Sequence, residues 1–143
     1  MQRKIEKSSK PKGEKPPKKV LITGAAGFIG HHLLDYLLQK TDWDFVLLDR
    51  LDVSGNLDRV RDIPSYEANR HRIQFEWHDL KAPVNDSLAK RLGNPHYILH
   101  LAASSHVDRS IEDPMLFAMD NVVGTVNILN FARTCSNLEK FIN

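Results

Sequence analysis

Val20-Leu21-Ile22-Thr23-Gly24-Ala25-Ala26-Gly27-Phe28-Ile29-Gly30 is an apolar run that breaks into three glycines spaced three apart and then resumes as an amphipathic segment. That order reads as a buried strand, a tight turn and a helix N-terminus. A helix start offers free backbone N–H groups and the positive end of the helix dipole, which together suit a negatively charged diphosphate. The glycines have mechanical roles. Gly24 takes the turn at the strand end, Gly27 lets the backbone close on the phosphates, and Gly30 lets the helix lie against the sheet. G-x-x-G-x-x-G is a variant of the dinucleotide fingerprint G-x-G-x-x-G, and taken alone it also fits a plain glycine-rich turn.

The next element narrows the choice. Leu47-Leu48-Asp49 ends a second apolar run, and Asp49 lies 19 positions after Gly30. The fingerprint places an acid roughly 20 residues on, to hold the adenosine ribose hydroxyls. A carboxylate there repels a 2′-phosphate and favours NAD over NADP, while the adjacent Arg50 leaves an opening for that phosphate.

A chain of 143 residues has room for one core, and its composition is that of an ordinary soluble domain. The formal net charge of +2 is unevenly placed: residues 1–19 carry eight basic against two acidic side chains, a balance of +6 that leaves −4 for the remainder. A basic nucleic-acid-binding face on the folded part is therefore not expected. The single cysteine, Cys135, excludes an intrachain disulfide and suits a reducing compartment. No apolar stretch approaches a membrane span, and the N-terminus lacks the apolar segment of a secretory signal, so a cytoplasmic location without a membrane role is expected.

Residues 1–18 form a basic, proline-bearing tail too poor in apolar groups to offset ordering entropy, so disorder is expected, with a solvated leader favoured over a targeting signal. From Lys19 to Asn143 the chain reads as one α/β domain. Strands are expected at 19–23, 45–48, 72–77, 97–101 and from 140, with Ile73, Phe75 and Trp77 pointing one way. Helices are expected at 28–39, with Ile29, Leu33 and Leu37 toward the sheet, at 84–91, and as one long helix over 112–133 opened by Asp113-Pro114. The alternation predicts a doubly wound parallel sheet of about five strands, with its ligand at the strands' carboxyl ends. Met115, Met119, Val122, Val126 and Leu129 stripe the long helix, and Leu116, Phe117, Val123 and Phe131 widen the stripe. Later helices or a second subunit should therefore cover its far side.

Together these segments resemble the extended short-chain dehydrogenase/reductases, in the NAD-dependent epimerase/dehydratase group, and within it the dTDP-glucose 4,6-dehydratases. The resemblance rests on Ile22 through Gly30, Asp49-Arg50-Leu51 through Gly55-Asn56-Leu57, His78-Asp79-Leu80, His100-Leu101-Ala102-Ala103, Ser105 through Ile111, and Asn121-Val122-Val123-Gly124-Thr125. It implies a Rossmann-type fold binding NAD, and a nucleotide sugar only together with the C-terminal portion of the intact family. Phe28 and Ile29 would present backbone donors to the pyrophosphate, Asp49 with Arg50 would hold the adenosine ribose, and Asp79 with Leu80 would flank the adenine. An aspartate placed like Asp79 also suits a simple loop cap. Leu101, Ala102 and Ala103 would line the nicotinamide side. Ser105 would sit where cofactor and sugar nucleotide meet, and His106 beside the sugar pocket. The resemblance further implies a homodimer, with the 112–133 helix near its interface.

Two positions depart from the pattern. Ser104 stands where bacterial dehydratases usually carry Glu, and Asp120 stands where a neutral residue often meets the cofactor, which would put a carboxylate near the nicotinamide ribose. The family's Tyr-x-x-x-Lys pair follows the fifth strand and is not present in residues 1–143. Tyr36-Lys40 has the spacing but lies in the first helix. No catalytic residue is assigned. His96 and His100 lack the thiols or clustered carboxylates of a metal set, so no metal is assigned. The expectation is thus the cofactor-binding portion of a nucleotide-sugar 4,6-dehydratase, truncated at the fifth strand. A stand-alone NAD-binding or regulatory module, a non-functional remnant and an NAD-dependent nucleotide-sugar epimerase are the alternatives.

Overall fold

Short apolar runs bounded by turn residues become strands here, and longer segments with three-to-four-residue periodicity become helices. The computed structural model describes residues 16–143. The order is β1 (Lys19–Thr23), α1 (Phe28–Lys40), β2 (Asp44–Asp49), the short helices α2 (Leu57–Arg61) and α3 (Tyr66–Asn69), β3 (Ile73–Trp77) and α4 (Asp86–Leu92). Then come β4 (Tyr97–His100), α5 (Val107–Glu112), α6 (Pro114–Ala118), a π turn (Met119–Val123), α7 (Gly124–Ala132) and β5 (Lys140–Ile142). The strands form one parallel sheet in the order β3-β2-β1-β4-β5. The chain starts at the centre, moves out to β3, and returns across β1 to β4. That reversal makes the β1/β4 junction a topological switch point, where doubly wound folds open a crevice.

The continuous apolar strands divide by parity. Val20, Ile22, Phe45 and Leu47 face one side, against Leu34 and Leu38 of α1. Leu21, Val46, Leu48 and Ile98 face the other, against Leu88 and Leu92 of α4 and Ile128 and Phe131 of α7. Since successive strand residues point to opposite faces, an unbroken run can fill two cores only if both faces are covered.

Several expectations change. The sheet-facing row of α1 is Gly30, Leu34 and Leu38, one position on from the expected row, and Ile29 is 66% exposed. The helix seats against the turn at Gly30, where a Cβ would lie within 3 Å of the backbone of Gly24 and Ala25, and this sets the rotation of the whole helix. Trp77 does not share the burial of Ile73 and Phe75. It is 63% exposed at the end of edge strand β3, with its Nε1–H donated to the Arg50 carbonyl at 2.8 Å.

The long helix is also shorter than expected and not uniform. Asp113 accepts the Leu116 N–H at 2.9 Å and Pro114 takes the first turn, so the helix runs from Pro114 to Ala132 with a π turn inside it. By length and composition this helix is long and apolar enough to cross a membrane, contrary to the sequence reading. Its Ile128 and Phe131, however, pack on the sheet. The expected Met115–Leu129 stripe faces outward: Met115 and Val122 are 69% and 62% exposed.

Of the expected tail, residues 1–15 lie outside the described residues. Lys18 is tethered rather than loose, since its Nζ donates to Glu139 at 2.8 Å and to the Tyr97 hydroxyl.

Candidate functional site

A cleft of about 480 Å³ opens at the carboxyl ends of β1, β2, β3 and β4. Its floor is the turn after β1. Gly24 adopts φ +67°, and a Cβ there would meet Ala102 N and Leu101 C at 2.7 and 2.9 Å. Glycine alone meets both the left-handed backbone and the close approach of the β4 segment. Helices α2, α4 and α6 begin on side-chain caps from Asn56, Asn85 and Asp113. In contrast, α1 starts from Gly27 with no side-chain cap and no acid in its first turn. Its N-cap residue Gly27 lines the cleft, and no side chain competes for its leading N–H groups, a condition that anion binding requires.

Asp49 is buried at the end of β2 and ties two walls together. Its Oδ2 accepts the Ala26 N–H at 2.9 Å, and its Oδ1 accepts the Leu51 N–H at 2.8 Å. Each oxygen keeps a second lone pair for a ligand hydroxyl. Leu51, with φ +55°, turns the chain directly after Arg50. Asp79 takes the loop-cap role and adds contacts to two cations. Its Oδ1 caps the loop by accepting the Lys81 N–H at 2.9 Å, while its Oδ2 lies 3.3 Å from Lys81 Nζ and 3.7 Å from the Arg50 guanidinium.

Asp120 projects from the π turn into this group. Arg50 donates Nη1–H and Nη2–H to its two oxygens at 2.6 and 2.8 Å, and the Ser104 hydroxyl donates at 2.6 Å. Arg50 holds the Asp120 carboxyl below the usual carboxylate range, and Asp120 in turn raises the Arg50 guanidinium. The carboxylate expected at the nicotinamide ribose is therefore engaged by Arg50 at the end of β2.

The next residue, Asn121, clamps the neighbouring loop at two points. Its Oδ1 accepts the Ser104 N–H at 2.7 Å and its Nδ2 donates to the Ser104 carbonyl at 2.9 Å. A π turn widens the helix by one residue per turn and is common at functional sites. Here it lets adjacent residues serve Arg50 and the Ser104 loop.

A partly buried chain joins Asn121, Thr125, His100 and Thr23. The Thr125 hydroxyl donates to the Asn121 carbonyl at 2.6 Å, leaving its oxygen 3.0 Å from His100 Nε2. On the other side of the ring, Thr23 Oγ1 lies 2.7 Å from Nδ1. With Thr125 already donating, His100 carries its proton on Nε2 and accepts from Thr23. Burial lowers its pKa, which keeps the ring neutral.

Gly24, Gly27, Asp49, Arg50, Asp79 and Leu80 all line the cleft, as do Leu101, Ala102, Ala103, Ser105, His106 and Asp120. Phe28, Ile29 and Gly30 do not, and the Phe28 side chain is 73% exposed. Any role for Phe28 and Ile29 therefore belongs to their backbone. Lys81, Ser104 and Arg109 also line the cleft and were not singled out for it by the sequence. Nothing in the local pattern distinguishes Lys81 and Ser104, in loops, or Arg109, in α5, as lining residues. Tyr36, 59% exposed on α1, is not part of the lining. His96 accepts the Lys19 N–H at Nδ1 and is thus a structural contact.

The family model described as GDP-mannose 4,6 dehydratase matches residues 21–143. A dTDP-glucose 4,6-dehydratase of Salmonella typhimurium is 40% identical over 115 residues, which cover 80% of this chain and 31% of that protein. The dTDP-glucose 4,6-dehydratase DesIV of Streptomyces venezuelae, solved with NAD bound, superposes with a TM-score of 0.74 at 31% identity over 86% of this chain and 38% of that one. The UDP-glucose 4-epimerase of Thermus thermophilus, solved in complex with NAD, gives a TM-score of 0.69 at 30% identity over 86% of this chain and 36% of that one. The chain spans about a third of the length of the curated relatives it matches. With a Rossmann-type sheet, a cleft at its switch point and a match over residues 21–143, the chain belongs to the GDP-mannose 4,6 dehydratase family.

Proposed function

We propose that this chain is the NAD-binding portion of a nucleotide-sugar 4,6-dehydratase of the dTDP-glucose type. The observation that carries the reading is the uncapped, glycine-floored start of α1 facing the same cleft as the buried Asp49 carboxylate. Gly24, Gly27 and the backbone of Phe28, Ile29 and Gly30 would cradle the pyrophosphate. Asp49 would accept from the adenosine ribose, with Asp79 and Leu80 beside the adenine and Leu101 to Ala103 along the nicotinamide. When bound, NAD supplies the hydride acceptor for a sugar carbon. This chain's residues bind and orient it.

Ser105 and His106 sit at the outer part of the cleft and would meet the nucleotide sugar. Among the described residues no tyrosine lines the cleft, so no proton transfer is assigned to this chain. The outward Met115, Val122 and Val126 suit a homodimer interface, and a cytoplasmic location goes with the same reading. The likeness to UDP-glucose 4-epimerases supports a second reading, in which the same portion serves an NAD-dependent epimerase. Calorimetric titration of NAD into the 143-residue chain tests the common core of both: saturable binding is expected, and no heat at millimolar NAD ends it. Adding dTDP-glucose or UDP-glucose to the NAD-loaded chain compares the two sugar nucleotides. Sedimentation should show a dimer that Val122→Asp weakens.

A further inference from the structure

Arg50 immediately follows the ribose-binding aspartate of the fingerprint, where a free cation would attract the 2′-phosphate of NADP. In this structure the guanidinium is not free. Its Nη1 and Nη2 donate to Asp120 at 2.6 and 2.8 Å, its Nε donates to Asp52 at 2.7 Å, and Asp79 stands 3.7 Å away. The Asp120 side chain is only 4% exposed, and it is fixed further by Ser104 at 2.6 Å and Lys81 at 3.7 Å. The cleft lining thus sets four carboxylates, Asp49, Asp52, Asp79 and Asp120, against three cations, Arg50, Lys81 and Arg109. A 2′-phosphate would add up to about two further negative charges to that group.

We propose that Asp120 determines cofactor specificity through Arg50: by holding the guanidinium in a two-point ion pair, it withholds the cation that a 2′-phosphate needs and so favours NAD over NADP. The inference rests on the NAD-binding reading above and adds to it a residue 70 positions away in sequence. Bidentate carboxylate pairing is geometrically selective, and it uses the same face of the guanidinium that would fork onto a phosphate. The π turn supplies the geometry, because it aims Asp120 at Arg50 while Asn121 holds the Ser104 loop.

The test is NADH and NADPH fluorescence titration of the full chain, its Asp120→Asn variant and the Arg50→Gln/Asp120→Asn double variant. Asp120→Asn should improve NADPH affinity relative to NADH about tenfold, the scale of one released charge contact. Adding Arg50→Gln should abolish that gain. Asp120→Thr is the alternative substitution if the asparagine variant does not fold. Urea denaturation of Asp120→Asn, of the single variant Arg50→Gln and of the double variant gives a second readout, in which Arg50 and Asp120 should couple at least fivefold in the folding equilibrium constant. NADH binding with an NADPH-to-NADH ratio within twofold of wild type in Asp120→Asn overturns this proposal alone. A gain that persists without Arg50 also overturns it. Wild-type chain that binds neither nucleotide overturns the NAD-binding reading itself.

Discussion

Gly24 and Gly27 stand three residues apart in one turn, yet alanine should act on them in different ways. At Gly24 the backbone is left-handed, which costs a Cβ-bearing residue about 1–2 kcal/mol. The new Cβ would also lie inside 3 Å of backbone atoms of Leu101 and Ala102, which no side-chain rotation can relieve. Forcing such an overlap adds about 1–3 kcal/mol, and the reduced freedom of the unfolded chain returns less than about 1 kcal/mol. The net loss is about 1–4 kcal/mol. With a urea m-value of about 2 kcal/mol/M, the unfolding midpoint should fall by about 0.5–2 M. At Gly27 the φ is −76° and a Cβ meets only the Gly24 carbonyl oxygen, at 3.1 Å. Gly27→Ala should therefore move the midpoint by less than about 0.5 M, a surface-like effect. It would still place a methyl group where the diphosphate must approach, so NAD affinity should fall at least tenfold. Urea titration followed by circular dichroism, with NAD calorimetry on the same samples, separates the two effects. Equal midpoints for the two variants would refute the account of Gly24, and unaltered NAD affinity in Gly27→Ala would refute the phosphate assignment.

Three further outcomes are expected. Asp49→Ala should abolish NAD binding and also cost about 1–3 kcal/mol of stability, because the buried Ala26 N–H loses its acceptor. Nucleotide titration alongside urea denaturation reads both effects, and a stability equal to wild type would remove the tethering role. Asn121→Ala should free the Ser104 backbone from its two-point clamp, which amide hydrogen exchange at Ser104 would register as lost protection. For His100, burial sets the folded pKa below the ordinary 6.5, so the unfolded chain binds the extra proton first. Stability is then full above about pH 6.5 and declines as pH falls toward the lower folded value, whereas Asp120, held down by Arg50, gives up its contribution only below its ordinary 3.8. The urea midpoint measured against pH should show the first decline in wild type and lose it in His100→Gln. A flat wild-type profile between these two values would show that His100 is not held neutral.

Much of the architecture was legible from residue order, because it depends on short-range rules. Apolar runs of strand length, the glycine turn, the acid 19 positions on and Asp113-Pro114 each act through backbone sterics or covalent spacing over a few residues. Hence the parallel sheet, the capped start of α6 and the gathering of Asp49, Asp79 and Leu101 to Ala103 at one end of the sheet all follow expectation. Tertiary packing decided what those rules leave free. The 28–39 pattern offers two adjacent apolar rows, and contact at Gly30 selects Gly30, Leu34 and Leu38 over Ile29, Leu33 and Leu37. Asp120 and Arg50 meet across 70 positions because a π turn and the end of β2 converge over the cleft. A local pattern carries no record of such a meeting, since a long-range ion pair is set by the relative placement of whole elements rather than by the residues beside each partner.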